Sequence, residues 1–247
     1  MTVQSQDDLN KLLAIGKIVR QSLDAMAKAA CPGMTTLELD AVCAAVLAEN
    51  GAESSPPKVY NFPGIACISI NDEAVHGIPG DRRIEAGDLV KCDVTAEKDG
   101  YVADAAITIR IPPVAPQAEA LAKCAESAFR QALQSVRVGN CLRDIGRAVE
   151  REVHHQGFSV IRELCGHGVG RSIHEEPCVP NFYEPRIHTK LTEGLVITIE
   201  PIIAAGSGRI RLQSDKWTIR TRDKSLAAHY EHSLVVTKSG PILLTAA

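Results

Sequence analysis

Aromatic residues, net positive charge and long apolar runs are all scarce in this 247-residue chain. Aromatics account for 4% of the residues, with Trp217 as the one tryptophan, so stacking platforms for single-stranded nucleic acid are not expected. A formal charge of −3 provides no basic field for a polyanion. No stretch approaches the roughly 20 apolar residues that span a bilayer, and the acidic beginning does not resemble a signal peptide. These scarcities predict a cytoplasmic protein that binds neither nucleic acid nor a membrane.

Cysteine pairs of the C-x-x-C form are also missing, although the chain has eight cysteines. A structural zinc site of the usual spacing is therefore disfavoured. A disulfide framework is a poor interpretation for a chain of this length without a signal peptide. We expect most cysteines to be small buried apolar residues, with Cys67 and Cys165 near the candidate site.

Hydrophobic spacing and the positions of glycine and proline predict a mixture of helices and strands, which is an α+β architecture. Recurring leucine, isoleucine and valine predict a first helix over 7–29, capped by Asp7 or Asp8. Thr35 and Glu38 have the spacing of a capping box, which predicts the start of a second helix. The other predicted elements are a proline-rich loop over 53–64, helices over 115–137 and 141–156, and strands over 65–70, 88–96, 101–111, 159–163, 194–203, 208–213, 217–221 and 229–237.

The succession of two helices followed by strands occurs twice along the chain. Related residues recur 106 positions apart: Gly33 and Gly139, Leu39 and Ile145, Gly51 and Gly157. This weak repetition predicts two similar halves that share one sheet, with a cleft between them as a natural place for a site. No linker or low-complexity segment divides the chain, so we expect one domain over residues 1–247.

Four acidic residues lie in or beside apolar, strand-like segments, where a carboxylate is costly to bury unless a cation or hydrogen bonds compensate it. These residues are Asp93, Asp104, Glu200 and Glu231. Taken singly, either glutamate could be a charge at the edge of a strand. Together with His167, which stands in a glycine-rich segment, the four carboxylates predict a metal-binding site and a hydrolase.

A strong turn signal, Asp99-Gly100, separates two of these segments, because both residues tolerate positive φ. A two-residue turn there would project Asp93 and Asp104 from the same face of a hairpin, and a four-residue connection would set them directly opposite each other. Two carboxylates that close repel unless a cation bridges them or one of them is protonated, and a bridging cation is the simpler explanation. The alternative is a solvated hairpin face, which explains poorly the valines and isoleucine around the aspartates.

Three histidines lie in or near segments that contain glycine or proline. Gly166 and Gly168 flank His167 and would let the backbone turn sharply, exposing the imidazole to a cleft. A phosphate cradle is the competing use of such a loop, but the pattern matches neither a dinucleotide-binding motif nor a P-loop. His174, on the same segment, and His76, in the segment VHGIPGD, could each be a structural histidine when considered alone.

Five segments, in their order and spacing, carry a resemblance to a known family. They are CISINDEAVHGIP, CDVTAEKDGYVAD, CGHGVGRSIHEEP, TIEPII and WTIRTRDKSLAAHYEHSLVVT. Over nearly its whole length the chain resembles the type I methionine aminopeptidases in their short bacterial form. That resemblance implies the pita-bread fold, which has two pseudo-symmetric halves around a curved, mostly antiparallel sheet and helices on its outer face.

The same resemblance implies roles for the residues of the site. Two divalent metal ions, with cobalt, manganese, iron and zinc as candidates, would be held by Asp93, Asp104, His167, Glu200 and Glu231. The implied catalytic residues are His76, His174 and Glu200, with Glu200 as the best candidate general base. The implied substrate-binding residues are His76, His174, Cys67, Phe62 and Trp217.

The implied reaction removes methionine from the free amino terminus of peptides and nascent proteins, with a small second residue preferred. The expected partner is a peptide or nascent chain, contact with the ribosome is left open, and a monomer is expected. Two alternatives stay open: an aminopeptidase of the same fold with another specificity, such as an X-prolyl aminopeptidase, and a non-catalytic pita-bread binding protein. The former usually carries an additional N-terminal domain, and the latter tends to lose metal ligands, whereas all five ligand positions are present here.

Three features depart from the family pattern. Ala105 and Ala106 follow the second hairpin aspartate where threonine or serine is usual. Ile173 stands where an aromatic pocket residue is expected, and the segment PPKVYNFPG lacks a usual tyrosine, for which Tyr60 and Phe62 would substitute. We expect these changes to leave the metal ligands intact and to alter side-chain selectivity and turnover.

Overall fold

The computed structural model describes residues 1–246, and it has the predicted mixture of helices and strands. The helices are α1 (Gln6–Ala29), α2 (Thr36–Glu49), α3 (Ser55–Tyr60), α4 (Pro116–Leu133) and α5 (Leu142–His155). The strands are β1 (Glu53–Ser54), β2 (Cys67–Ile70), β3 (Glu73–Val75), β4 (Leu89–Lys98), β5 (Tyr101–Arg110), β6 (Ser159–Val160), β7 (Cys165–Gly168), β8 (Glu175–Pro180), β9 (Val196–Ile199), β10 (Ile202–Ala204), β11 (Ile210–Leu212), β12 (Ile219–Thr221), β13 (Ala227–His229), β14 (Glu231–Val235) and β15 (Ile242–Leu243). None of the helices among residues 1–246 combines the length with the apolar composition that a membrane-spanning segment needs.

Side-chain caps begin the first two helices. Ser5, and not Asp7 or Asp8, is the N-cap of α1, and its hydroxyl accepts a 3.1 Å hydrogen bond from the Asp8 N–H. The predicted cap is therefore wrong, because Asp8 fills the other place of the capping box and accepts from the Ser5 N–H. At α2 the predicted box is confirmed, since the Thr35 hydroxyl accepts from the Glu38 N–H and the Glu38 carboxylate accepts from the Thr35 N–H.

The proline-rich segment 53–64 contains regular structure and is not the continuous loop that its composition predicts. Strand β1 pairs with β4, and α3 follows it directly. Pro56 fits the first turn of α3, where an N–H would have no partner within the helix and the φ of proline is already helical. Asn61, with a φ of 57°, ends the helix in the left-handed conformation. This short helix brings Tyr60 and Phe62 to the cavity described below.

The largest sheet has nine strands among the described residues, and its pairings are antiparallel. Its order is β1-β4-β5-β14-β9-β7-β8, with β2 also on β4 and β15 also on β14. Two three-stranded sheets have the orders β13-β10-β6 and β11-β12-β3. This order makes neighbours of strands that are far apart in the sequence, such as β5 and β14.

The two faces of β4 have different surroundings. Cys92 and Val94 are completely buried in a core cluster with Val19 of α1. Because side chains alternate along a strand, Asp93 and Thr95 lie on the opposite face. A second core cluster joins α4 and α5 to β9 and β14. The helices therefore cover one side of the central strands, and the candidate site lies on the other.

The elements themselves confirm the predicted repetition of the two halves. Helices α2 and α5 each have 14 residues and begin 106 positions apart, and β1 and β6 are displaced by the same number. Gly33 and Gly139 precede these helices with φ of +92° and +93°, a conformation that favours glycine. Thr35 and Cys141 are the corresponding N-caps. The spacing of glycines in the sequence thus reports a real structural repeat.

Candidate active site and metal centre

A two-residue turn joins β4 to β5. Asp99 and Gly100 form it with φ of 53° and 76°, and Lys98 pairs with Tyr101 across it. Positive φ at both positions is typical of a type I′ turn, whose twist suits an antiparallel hairpin. The Asp-Gly signal therefore predicts this turn correctly, and the turn sets the register of the hairpin.

That register places Asp93 and Asp104 on the same face, as predicted for a two-residue turn. Asp93 pairs with Ala106 and Asp104 with Thr95, so the two aspartates are diagonal neighbours. The longer connection that would set them directly opposite each other is not formed. Ser233 of β14 fixes the backbone of β5 here, because its hydroxyl accepts from the Asp104 N–H at 2.9 Å and donates to the Asp104 carbonyl at 2.8 Å.

One hydrogen bond fixes the backbone of His167, on β7, and another fixes its ring. The backbone N–H donates to Thr198 Oγ1 at 3.0 Å, and ring Nδ1 lies 2.8 Å from the Gly168 carbonyl oxygen. Because a carbonyl only accepts, Nδ1 carries the proton and Nε2 keeps its lone pair. Nε2 lies 3.7 Å from Asp104 Oδ2 and 3.6 Å from Glu200 Oε1. The nitrogen that can bind a metal therefore faces two carboxylates.

Two glutamates come from neighbouring strands, since Glu200 follows β9 and Glu231 begins β14. Thr198 Oγ1 donates to Glu200 Oε1 at 2.9 Å. His229 lies near both glutamates, with Nε2 3.3 Å from Glu231 Oε2 and 4.0 Å from Glu200 Oε2. His229 is not among the predicted site residues. Its signal in the sequence is its position two residues before Glu231, because residues two apart on an extended chain share a face.

Two groups of side chains have the arrangement of a metal site. One consists of Asp104, His167 and Glu231, and the other of Glu200, His229 and Glu231. In each group the candidate ligand atoms lie within 4.8 Å of one another, and Glu231 belongs to both groups. Asp93 belongs to neither, although its carboxyl group lies within hydrogen-bonding reach of Asp104. A ligand role for Asp93 stays a prediction.

The carboxyl groups are buried together, which disfavours their charged forms. Burial raises the pKa values of Asp104, Glu200 and Glu231 well above their ordinary values, and neighbouring carboxylates add to the effect. Asp104 Oδ1, Glu231 Oε1 and both ring nitrogens of His229 have no hydrogen-bond partner among the described residues. Unpartnered buried polar atoms and close like charges both cost free energy. A divalent cation would relieve both costs, so this donor set fits a metal ion.

The histidines around the carboxylates are neutral at neutral pH. Burial lowers the pKa of His76, His167 and His229 to about 4. It lowers the pKa of His174 in the same direction. Neutral imidazole is the form that binds metal and that keeps one N–H for donation.

One cavity of about 510 Å³ contains the whole predicted site. All ten predicted residues line it: Phe62, Cys67, His76, Asp93, Asp104, His167, His174, Glu200, Trp217 and Glu231. His229 and Ile173 line it as well. The chain therefore brings together every residue that the sequence nominates, and the separate role of each one stays a prediction.

Aromatic side chains form part of the cavity wall beside the carboxylates. The rings of Phe62 and Trp217 meet edge to face with their centroids 5.2 Å apart. The Tyr60 hydroxyl lies 2.7 Å from His174 Nδ1. Cys67 pairs with Asp93 across β2 and β4, and burial raises the pKa of its thiol, which therefore stays protonated. An apolar pocket thus adjoins the polar cluster.

Most of the cysteines are buried, as predicted: Cys43, Cys67, Cys92, Cys124 and Cys141. Cys165 lines the cavity, in agreement with its expected position near the site. Cys178 of β8 lies beside it, with the two Sγ atoms 2.7 Å apart, and was not expected there. Neither cysteine is placed among the candidate metal ligands.

Buried carboxylates and a neutral imidazole that converge in a cleft of an antiparallel α+β fold define the class of metal-dependent hydrolytic sites. The chain matches metallopeptidase family M24 over residues 10–238, and it belongs to that family. Membership in a metallopeptidase family implies a divalent metal, which agrees with the donor set described above.

Relatives over the full length of the chain have a common name. Methionine aminopeptidase 2 of Bacillus subtilis (strain 168) is 44% identical over 247 residues, which cover 99% of each chain. Methionine aminopeptidase of Clostridium perfringens (strain 13 / Type A) is 36% identical over 243 residues, which cover 98% of each chain. The resemblance inferred from the five segments is thereby confirmed.

Solved structures confirm the predicted fold. The crystal structure of methionine aminopeptidase from Thermotoga maritima superposes with a TM-score of 0.97 and covers all of both chains at 29% identity. Prolidase from Pyrococcus furiosus superposes with a TM-score of 0.79 at 23% identity, and the match covers 66% of that longer chain. The second likeness concerns the fold alone, which is the pita-bread fold.

Proposed function

We propose that this protein is a metal-dependent aminopeptidase that removes methionine from the free amino terminus of peptides and nascent proteins. The observation that carries the proposal is the single cavity in which carboxylates and histidines adjoin an aromatic pocket. Full-length similarity to methionine aminopeptidases supports the same reaction. A small second residue of the substrate is the expected preference.

The proposed metal site holds two divalent ions. Its ligands are Asp93, Asp104, His167, Glu200 and Glu231. A set rich in carboxylate oxygen with an imidazole suits cobalt, manganese, iron or zinc. Glu231 belongs to both ligand groups, so it would help to hold each ion. A divalent metal here would supply Lewis-acid polarisation of the scissile carbonyl and a lower pKa for the attacking water.

Glu200 is the proposed general base. Thr198 donates to Oε1, which orients the carboxylate. The carboxylate would take a proton from the attacking water and return it to the leaving amine, as a positioned carboxylate can. Glu200 lines the cavity at the end of β9, so its position is set by the sheet and not by a mobile loop.

His174 is proposed to bind the carbonyl oxygen of the scissile bond. The hydroxyl of Tyr60 lies at hydrogen-bonding distance from Nδ1. When this hydroxyl donates to Nδ1, the ring proton is on Nε2, which can then donate to an oxygen that gains negative charge during the reaction. Tyr60 would thus select the tautomer that the reaction needs.

His76 is proposed to donate a hydrogen bond near the leaving amide. It directly follows β3 and has a φ of 57°, an uncommon conformation for a residue with a side chain. Burial keeps the ring neutral, so one ring N–H is available as a donor at neutral pH. The backbone conformation is consistent with a side chain held in place for function.

The methionine side chain is proposed to lie against Phe62, Trp217 and Cys67. A thioether packs favourably at the edge or face of aromatic rings, and a protonated thiol adds an apolar wall. Ile173 lines the same cavity in place of an aromatic residue. We expect this change to relax the fit around the end of the methionine side chain.

A cytoplasmic location is part of the proposal, because nascent chains are synthesised there. The proposed state of the protein is a monomer, which sedimentation or gel filtration would test. Contact with the ribosome is a separate proposal, and co-sedimentation with ribosomes would test it.

A peptide assay with the metal-loaded protein tests the proposed function. Met-Ala-Ser should lose its methionine, a peptide with a bulky second residue should react more slowly, and an Ala-Pro peptide should remain intact. Cleavage of the Ala-Pro peptide in place of Met-Ala-Ser would assign X-prolyl specificity. A chain that binds divalent metal at micromolar concentration and cleaves neither peptide would leave a non-catalytic binding protein.

A further inference from the structure

The fourth imidazole that lines the cavity has no role in the proposed mechanism. His229 ends β13, is 2% exposed and lines the cavity. Neither of its ring nitrogens has a hydrogen-bond partner among the described residues. Buried polar groups are nearly always satisfied, so an imidazole with two unpartnered nitrogens in a protein interior requires an explanation.

The backbone of His229 is fixed from both sides. Its N–H donates to Thr108 Oγ1 at 2.9 Å, and the same hydroxyl donates to the His229 carbonyl at 2.8 Å. On the other side, His229 pairs with Ile202 of β10. The neighbouring strands therefore set the direction of the His229 side chain. The ring makes no hydrogen bond that would turn it elsewhere.

The direction so imposed brings Nε2 to two carboxylates. It lies 3.3 Å from Glu231 Oε2 and 4.0 Å from Glu200 Oε2. Ligand atoms that bind one ion through bonds of about 2.1 Å lie about 3–4 Å from one another. Both separations around His229 fall near this range, so the three atoms can surround one ion.

The His167 group has the same form. Nε2 of His167 lies 3.7 Å from Asp104 Oδ2 of its own group and 3.6 Å from Glu200 Oε1 of the other group. Each of the two ligand groups therefore contains one imidazole, and the two groups share Glu231. The centre therefore resembles two adjacent sites of similar composition. It is less like a single histidine surrounded by carboxylates.

We propose that His229 is a metal ligand, with its Nε2 bound to the ion that Glu200 and Glu231 hold. The centre would then contain two imidazoles, from His229 and His167. An added nitrogen donor would shift the preference of this ion from manganese towards iron or zinc. The inference rests on the proposed function, because it requires a metal in this cavity.

Cobalt(II)-loaded full-length protein provides the test. X-ray absorption at the cobalt edge counts the imidazole rings bound per chain. We expect two in the unaltered protein, one in His229→Gln and one in His167→Gln. His154→Gln, which changes an exposed histidine of α5, should keep two. Competition with a chelator should show that His229→Gln weakens the binding of one ion by at least the roughly 10–100-fold that changes around metal ligands cost.

One imidazole per chain in the unaltered protein would overturn the inference, and this result does not depend on whether any variant folds. His229 would then lie beside Glu231 without binding an ion. Two imidazoles that persist in His229→Gln would overturn it as well. If cobalt is bound through one imidazole and the protein is an active peptidase, this inference is wrong and the proposed function stands. If the chain binds no cobalt, the proposed function is wrong as well.

Discussion

At the scale of single residues, the candidate centre is a set of carboxylates that oppose one another's ionisation. Burial raises the pKa of Asp104, and Glu231, Asp93 and Glu200 raise it further. Such a cluster is unfavourable to folding unless a cation compensates the charge. The side chains therefore make physical sense as ligands and not as part of an apolar core.

Replacing Asp104 with asparagine should remove a ligand while nearly preserving its shape. An amide carries no charge and competes poorly for a divalent ion, so metal content should fall. Substitutions of residues that only support metal ligands lower activity by up to roughly 100-fold, and the loss of a ligand itself should lower kcat/KM by more than that. Metal analysis and peptide hydrolysis measure the two effects. Asp99→Asn, at the exposed hairpin turn, is the matched control, and full activity with full metal content in Asp104→Asn would refute the role.

Tyr60→Phe should affect turnover without affecting stability. Tyr60 is 42% exposed, and its hydroxyl contacts His174 Nδ1. Without this contact the imidazole can adopt the tautomer that places its proton on the wrong nitrogen. We expect kcat to fall about 100-fold, the lower end of the effects of groups that donate or accept a proton, with KM and melting temperature little changed. Tyr183→Phe serves as the control, and an unchanged kcat in Tyr60→Phe would exclude the tautomer role.

Lys91 should make stability rise with pH above neutrality. It is 1% exposed, and its ammonium donates to the Asn71 carbonyl at 2.8 Å and the Leu89 carbonyl at 3.4 Å. Burial lowers its pKa from 10.5 to about 7. The unfolded chain therefore binds more protons between these values, and the free energy of unfolding rises with pH across that window. Urea unfolding should give a higher free energy of unfolding at about pH 9.5 than at about pH 7. This difference should disappear in Lys91→Met and persist in Lys17→Met, which changes an exposed lysine.

At the scale of elements, the close packing of β7 against β8 holds His167 in position. A Cβ added at Gly168 would overlap the carbonyl oxygen of Glu176, so the two strands would have to separate. Gly168→Ala should destabilise the protein by about 1–3 kcal/mol, as overpacking does, and should weaken metal binding. Thermal unfolding and metal titration measure these changes. Gly80→Ala, where an added Cβ has open space, is the control, and equal effects of the two substitutions would contradict the packing role.

Elements whose signals are local follow from the sequence. Asp99-Gly100 encodes its own turn, and that turn fixes which side chains of β4 and β5 share a face. The helix α3 does not follow in this way, because Pro56 is compatible both with a loop and with the first turn of a helix. The N-cap of α1 is ambiguous for a similar reason, since Ser5 and Asp8 are both good capping residues.

His229 marks the limit of inference from the sequence at the site. Its one local signal is its position two residues before Glu231, and His232, three residues on, is also buried but hydrogen bonded to Thr245 and Tyr230. The difference between the two histidines arises from the pairing of β13 with β10, which involves residues far apart in the sequence. The ligands that lie on recognisable motifs could be predicted from the sequence. His229 could not, because its unpartnered ring nitrogens are visible only in the three-dimensional structure.

At the scale of the whole molecule, the sheet order brings the candidate ligands together. Strands β5, β14, β9 and β7 are consecutive neighbours in the sheet, and they carry or adjoin four of the five predicted ligands. The repeated halves each supply a helix pair that covers the other side of these strands. The convergence is therefore a property of the fold, and breaking one strand pairing should affect several ligands at once.

Metal should stabilise the entire fold, and more strongly at neutral than at acid pH. A ligand that binds only the folded state adds about 2.7 kcal/mol at 100 times its Kd. In the metal-free protein, the raised pKa of Glu200 means that the folded state binds more protons than the unfolded state above the ordinary value of 4.5. Metal-free stability should therefore fall as pH rises through that window, while metal binding, which needs deprotonated ligands, should strengthen. Calorimetry with and without manganese at about pH 5 and about pH 7.5 should show the larger metal-induced rise in Tm at the higher pH. An equal rise at both values would contradict a site built from these buried carboxylates.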